Sequence, residues 1–147
     1  MKRTICLACA FALFLATWTT GRVEAASRCL PNKRFVVLSG SLVSDTLTKL
    51  VWQQQASTTV MNWPAAQTYC PSGFRLPMVK ELDSLLDLTV TSGATIDQTA
   101  FPGTPAESFW ASSPYAGDSG FAWLVSFYNG YSYYDGVGIS YRVRCVR

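Results

Sequence analysis

Apolar and polar positions change period several times along this 147-residue chain, and each change predicts an element. Phe35-Val36-Val37-Leu38 is a β-branched, apolar run closed by Ser39-Gly40-Ser41. Leu42-Val43 and Leu50-Val51-Trp52 follow, with Asp45-Thr46-Leu47-Thr48 as the turn between them, so the segment from Arg34 to Trp52 reads as a hairpin of short strands. After the polar connection from Gln53 to Val60, the period becomes helical. Asn62 can cap a helix whose first turn tolerates Pro64, which predicts a helix from Trp63 to Tyr69. Cys70 ends it, Pro71-Ser72-Gly73 breaks the period, and Leu76-Pro77 forces an extended residue. From Met78, the residues Val79, Leu82, Leu85 and Leu86 recur at helical spacing, with Lys80, Glu81, Asp83 and Asp87 between them, so a second, amphipathic helix is expected. Thr89 to Ser108 holds Gly93, Pro102, Gly103 and Pro105 without a sustained period and predicts a long surface loop.

The last third alternates with period two. Phe121, Trp123, Val125 and Phe127 share one face of a strand, opposite Ala122, Leu124, Ser126 and Tyr128. Val137, Ile139, Tyr141, Val143 and Cys145 share a face of a further strand, opposite Gly138, Ser140, Arg142 and Arg144. Between these rows lies the hairpin segment Tyr128 to Gly136, in which Asn129-Gly130 is a strong turn signal. Helices early and antiparallel strands late make the class α+β.

The first residues change how charge and cysteine are counted. Met1-Lys2-Arg3 is a basic tip, Ile5 to Trp18 is almost wholly apolar, and Val23-Glu24-Ala25 is the small-x-small pattern of a signal-peptidase site, so residues 1–26 are expected to be a secretory signal peptide. The apolar run is shorter than the roughly 20 residues that cross a bilayer. No membrane span is expected after processing. Cys9 lies too early in the run, and Cys29 lacks an apolar segment before it, for a lipoprotein anchor. Cleavage after Ala25 or Ala26 leaves residues 27–147 as a single domain, secreted to the periplasm or cell exterior. The formal charge of +3 for the whole chain falls to +1 without Lys2, Arg3, Arg22 and Glu24, so no global argument for nucleic acid remains. Cys29, Cys70 and Cys145 remain in an oxidising compartment. Cys145 is on an inward row and Cys70 ends a helix that packs on that sheet, so these two are expected to pair, leaving Cys29 free or bonded to another molecule.

The missing chemistry narrows the function. The chain has no histidine, which removes Ser-His-Asp and Cys-His catalysis and the commonest metal ligand. Asp83 and Asp87, one helical turn apart, read as a solvated acidic face before they read as a glycosidase pair. The oxygens of Asp118-Ser119 and of Asn129 to Asp135 are scattered, without the clustered ligands of a calcium loop. No catalytic residue, metal or cofactor is therefore expected.

The order Trp63, Cys70, Phe74-Arg75-Leu76-Pro77 and Lys80-Glu81-Leu82 resembles the Lcl C-terminal domain family, a bacterial secreted module. Val43-Ser44-Asp45, Leu50-Val51-Trp52-Gln53, Ile96-Asp97, Phe101-Pro102, Phe109-Trp110-Ala111-Ser112-Ser113, Ala122-Trp123 and Arg142-Val143-Arg144-Cys145-Val146-Arg147 agree with it. The resemblance implies a C-type-lectin-like fold, with two short helices on a twisted antiparallel sheet, a long irregular loop, and the first and last strands brought together. It also implies a place at bacterial surfaces, where the best-known kind binds sulfated glycans.

Trp63, Arg75, Leu76, Pro77 and Glu81 read as a structural motif, Arg75 and Glu81 locking the turn between the helices. Trp52, Trp110 and Trp123 read as core aromatics rather than a sugar platform. The tyrosine-rich hairpin stands apart, because Tyr with Asn, Ser, Asp and Gly is the composition of binding loops. Tyr128, Asn129, Tyr131, Tyr133, Tyr134 and Asp135 are the candidate ligand contacts. Arg142 and Arg144, on one face of the final strand, are candidate cations for a sulfated ligand, unless they pair with carboxylates of a neighbouring strand. The leading expectation is a non-catalytic adhesion module for an extracellular glycan. A structural or assembly protein recognising a protein partner is second, and a hydrolase a distant third.

Overall fold

Among the described residues, short apolar runs fold on local turns into two three-stranded antiparallel sheets and two short helices. The computed structural model describes residues 33–147, so the signal-peptide reading and Cys29 lie outside the described residues. In the first sheet β1 (Phe35–Leu38), β2 (Leu42–Asp45) and β3 (Val51–Gln53) lie in chain order. The turn after β2 is organised by buried Asp45, which accepts from Arg34 Nε (3.1 Å) and Nη2 (2.8 Å), Leu47 N (2.9 Å) and Thr48 Oγ1 (2.8 Å). Burial pushes the Asp45 carboxyl up, but Arg34 and the other donors outweigh it and hold the group below its ordinary value.

Helix α1 (Trp63–Tyr69) begins as its sequence dictates. Asn62 Oδ1 accepts from Ala65 N at 3.1 Å, and Pro64 sits in the first turn, where its missing N–H costs nothing. Helix α2 spans only Val79–Asp83. Its Glu81 takes the N–H of Met78 at 2.8 Å and both guanidinium nitrogens of Arg75 at 2.7 Å, so one carboxylate caps the helix and fixes the turn before it. The apolar repeat extends to Leu86, but Leu85 N and Leu86 N bond back three residues, to Leu82 and Asp83. A tightened turn thus replaces the last helical turn and still buries Leu85.

The second sheet holds β4 (Ser108–Pro114), β5 (Phe121–Ser126) and β6 (Tyr131–Gly136), with β5 central. On one side of β5, Val125 packs with Leu82 and Leu85; on the other, Leu124 packs with Ala66, Leu76 and Trp110. Two clusters of buried side chains, one reaching α2 and one reaching α1, therefore meet across a single strand. The disulfide Cys70–Cys145, with Cα atoms 5.7 Å apart, ties the end of α1 to the C-terminal segment.

Four expectations are corrected. The strands form two sheets, and β4 was not anticipated, because Ser112, Ser113 and a register irregularity between Trp110 and Pro114 break its alternation. Tyr131–Gly136 is itself the outer strand of the hairpin, not a connection. Only the turn at Phe127–Gly130 is loop, where Gly130 has φ +75° and a Cβ would lie 2.3 Å from Leu88 Cδ2. Residues 137–147 are not a regular strand but pair singly with different elements, Tyr141 with Met61, Arg142 with Phe109, and Val146 with both Trp52 and Arg75. Wedged in this way, Val143, Arg144, Cys145 and Val146 are all buried, while Ile139 is exposed. The stretch from Thr89 to Ser108 has no regular element before β4 begins at Ser108, but it is not a surface loop. Thr95, Ile96, Ala100, Phe101 and Thr104 are buried, and Thr95 bonds the Phe127 carbonyl through N (2.8 Å) and Oγ1 (3.1 Å).

Candidate ligand-binding surface on the β5–β6 hairpin

The register out from Asn129-Gly130 decides what each tyrosine does. Tyr131 pairs with Ser126, Tyr133 with Leu124, Tyr134 with Trp123 and Asp135 with Ala122. Successive residues of a strand face opposite sides, so Tyr131, Tyr133 and Asp135 share one side of β6, with Ser132 and Tyr134 on the other. β6 is an edge strand, and both sides reach solvent: Tyr131 is 68 % exposed, Tyr134 44 % and Tyr133 37 %.

The first side is a row of hydroxyls. Tyr133 Oη and Ser108 Oγ are hydrogen-bonded at 2.7 Å, and Tyr141 donates its hydroxyl to Asp135 Oδ2 at 2.6 Å. Burial, then the Asp135 carboxylate, raise the Tyr141 phenol above its ordinary value, so it stays protonated and locked as donor. Asp135 is doubly engaged, since its other oxygen accepts from Gly136 N at 2.7 Å.

The second side is aromatic. Tyr134 stacks on Tyr115 with ring centroids 3.9 Å apart and planes 14° from parallel, while Trp123 lies edge-on to both at 5.7 and 6.0 Å and Phe121 edge-on to Tyr134 at 6.0 Å. The adjacent Tyr134 phenol raises the Tyr115 phenol above its ordinary value. Closer to α2, the Ser132 hydroxyl bonds Asp83.

At the turn, Tyr128 is 72 % exposed, and Asn129 Oδ1 accepts from Tyr131 N at 3.3 Å. Leu88, lying over Gly130, is 71 % exposed, so the tip presents Leu88, Tyr128 and Tyr131 together.

The two arginines do not join this surface. Arg144 is completely buried. Its Nη1 donates to the Gln53 carbonyl at 2.9 Å and to that of Gln54, its Nη2 donates to Thr104 Oγ1 at 2.7 Å, and its guanidinium lies 4.8 Å from the Phe101 ring centroid. Burial pulls its pKa down to about 9, which leaves it a cation at neutral pH. It has no carboxylate partner among the described residues. Arg142 is held by Glu107 (Nε to Oε2, 2.8 Å) and by the carbonyls of Ser57 (3.1 Å) and Thr58 (2.6 Å). That pair holds the Glu107 carboxyl below and the Arg142 guanidinium above its ordinary value. The two candidate cations therefore form one internal clamp and one compensated ion pair, because the segment carrying them is not a strand with a free face.

Of the residues read as a structural motif, Arg75 pairs with Glu81, Leu76 is buried beside Pro77, and Trp63 Nε1 donates to the Ala111 carbonyl at 2.8 Å. Trp52 and Trp110 are fully buried, whereas Trp123 is only half-buried within the aromatic cluster. The sequence reading missed Ser108, Tyr115 and the surface position of Trp123. The Trp123–Tyr134 pairing was countable from the turn, but nothing in the sequence pointed to Tyr115. Elsewhere are a cavity of about 250 Å³ lined by Ser41, Gln53, Gln55, Ser57 and Tyr69, and a groove of about 500 Å³ along β1. Among the described residues no cluster of three or more His, Cys, Asp or Glu is placed to hold a metal.

Comparison with curated proteins found no match. The family model described as the Lcl C-terminal domain matches residues 41–147, which takes in all of the fold from the turn after β1 to the last residue. The chain belongs to the Lcl C-terminal domain family.

Proposed function

We propose that the chain is a secreted, non-catalytic binding module, C-type-lectin-like in architecture, that holds a neutral, hydroxyl-rich surface polymer such as a glycan against β6. The carrying observation is the stacked Tyr115–Tyr134 pair with Trp123, on the opposite side of the same edge strand from the Tyr133–Ser108 and Tyr141–Asp135 hydroxyl pairs. Rings offer faces for C–H groups, and hydroxyls that both donate and accept suit a sugar. The lectin-like reading is supported by β3 pairing with the chain end, Val51 N to Arg147 O at 2.8 Å.

Charge favours a neutral ligand over a sulfated one. Residues 115–141 contain no Lys or Arg and two Asp, and both candidate arginines are engaged elsewhere. A polyanion gains most where unpaired cations meet it. The exposed tip of Leu88, Tyr128 and Tyr131 supports the second reading, a protein partner.

The test is an array of neutral and sulfated glycans, with chelator present, followed by binding curves at low and high salt. Binding to neutral glycans is expected to survive salt and chelation, to fall at least about tenfold in Tyr133→Ala with Tyr134→Ala, as befits loss of two contact rings, and to be unchanged in Arg142→Ala. Binding confined to sulfated glycans and abolished by salt would reject the neutral reading. Unchanged affinity in the folded double tyrosine variant would remove β6 from the site.

A further inference from the structure

Among the described residues, the outer edge of β1 is unpaired. β1 ends the first sheet, and Val36, Val37 and Leu38 are 43, 53 and 40 % exposed. Adjacent residues of a strand are exposed together, so from Val36 onward neither face is covered. The strand carries no proline, lysine or bulge, the usual means by which proteins keep such an edge from pairing.

The ladder shows which groups point out. Thr46 N donates to the Arg34 carbonyl at 2.8 Å, so Arg34, Val36 and Leu38 turn their backbone groups toward β2. By alternation, the N–H and C=O of Phe35 and Val37 point away from the sheet. No backbone partner for either outward N–H is present among the described residues.

We infer that this edge pairs with the same edge of a second copy, antiparallel and centred on Val36. That arrangement is self-complementary. Phe35 of one copy exchanges two hydrogen bonds with Val37 of the other, and the two-fold axis repeats the exchange, satisfying all four outward groups on each copy. The groove decides the fit. It runs along Lys33 to Val37 on one side and Asp97, Thr99 and Ala100 on the other, on the face where Phe35 packs edge-on against Phe101 at 5.2 Å. Val37 shares that face with Phe35, so the two-fold sets the exposed Val37 of each copy beside Phe35 at the other's groove. Lys33 and Asp97 give each groove both signs of charge, so two grooves facing one seam are not driven apart. A four-residue strand with one groove contact is well below the roughly 800 Å² per partner of a standard stable interface, so the dimer is a weak one that forms as concentration rises.

The experiment uses the mature exported protein, in a Cys29→Ser background that removes the third thiol. Sedimentation velocity should show monomer giving way to dimer with concentration, and Val37→Pro, which deletes an outward N–H and spares the bonds to β2, should weaken association at least about tenfold. Val36→Cys is the positional test. In this register the two Val36 residues oppose each other as a pair without mutual hydrogen bonds, with Cα atoms about 4.5 Å apart and within disulfide range. Val36→Cys should therefore oxidise to a covalent dimer, and Leu47→Cys, exposed on the turn after β2, should not. Three results would each overturn the inference. One is a monomer at every concentration. Another is cross-linking no better for Val36→Cys than for Leu47→Cys. The third is hydrogen-exchange protection of the Phe35 and Val37 amides that does not vary with concentration, which would mean that the chain's own leading segment covers the edge.

Discussion

Replacing Arg144 with alanine is expected to lower folding stability by about 3–5 kcal/mol, a large part of what a domain of this size has. The side chain is fully buried, and its guanidinium bonds the carbonyls of Gln53 and Gln54 and the hydroxyl of Thr104 while lying over Phe101. It therefore ties the irregular stretch before β4 to the end of β3 and to the C-terminal segment, two strips of backbone that already pair through Val51 and Arg147. Truncation leaves a cavity and strands two carbonyls in the interior, where each lost partner costs about 1–3 kcal/mol. The opposing effect is relief of the cost of burying a cation, which the lowered pKa of about 9 reflects. Arg144→Met separates the two, because it fills most of the space without charge or donors. Its loss should be smaller than that of Arg144→Ala, and Arg144→Lys should fall between them, since one ammonium cannot reach all three acceptors along a fixed fork. Urea denaturation of the three variants at neutral pH checks the order. A loss below about 1 kcal/mol for Arg144→Ala would show that the clamp is dispensable.

Removing the Cys70–Cys145 bridge should cost a similar amount by a different route. The two cysteines are 75 residues apart, and closing a loop of that length constrains the unfolded chain by about 4 kcal/mol on the entropic account. Cys70→Ala with Cys145→Ala should therefore lower the denaturation midpoint strongly while leaving the near-ultraviolet circular dichroism of the folded protein almost unchanged. Arg144→Ala, by contrast, should also change that signal, because it removes a group packed on Phe101 and Phe109. Reductant should reproduce the double variant in wild type and add nothing to it. Retention of the wild-type midpoint after reduction would contradict this, and so would a non-reducing peptide map that joined Cys29 to Cys70.

The elements legible in the sequence are those whose signals are local. Asn62 with Pro64 placed the start of α1, the β-branched run Phe35–Leu38 placed β1, and Asn129-Gly130 placed the turn between β5 and β6. The Cys70–Cys145 pairing was also read from the sequence, although Cys145 sits in an irregular segment and not on the strand row that suggested it. The misreadings share one cause, the assumption that a residue's environment repeats with the period of its neighbours. Arg144 alternates with Val143 and Cys145 and so looked outward, but its segment pairs with a different element at almost every residue, and both of its sides are buried. Phe101 and Ile96 lie in a stretch without period, yet they reach the core by irregular backbone. At the candidate surface, composition singled out the tyrosines of β6 but not their partners. Tyr115 arrives from the β4–β5 connection to stack on Tyr134, and Ser108 arrives from the start of β4 to meet Tyr133, contacts that only the assembled sheet creates.

The claim that β6 carries the binding surface is tested most directly by following backbone amide resonances of the folded protein during titration with the tightest neutral oligosaccharide from the array. The prediction is that shifts concentrate at Tyr115, Trp123 and Tyr131 to Asp135, with Tyr141 following through its bond to Asp135, at both low and high salt. Shifts confined to the cavity of Ser41, Gln53 and Tyr69, or to Arg142 and Glu107 alone, with β6 unmoved at saturation, would contradict it.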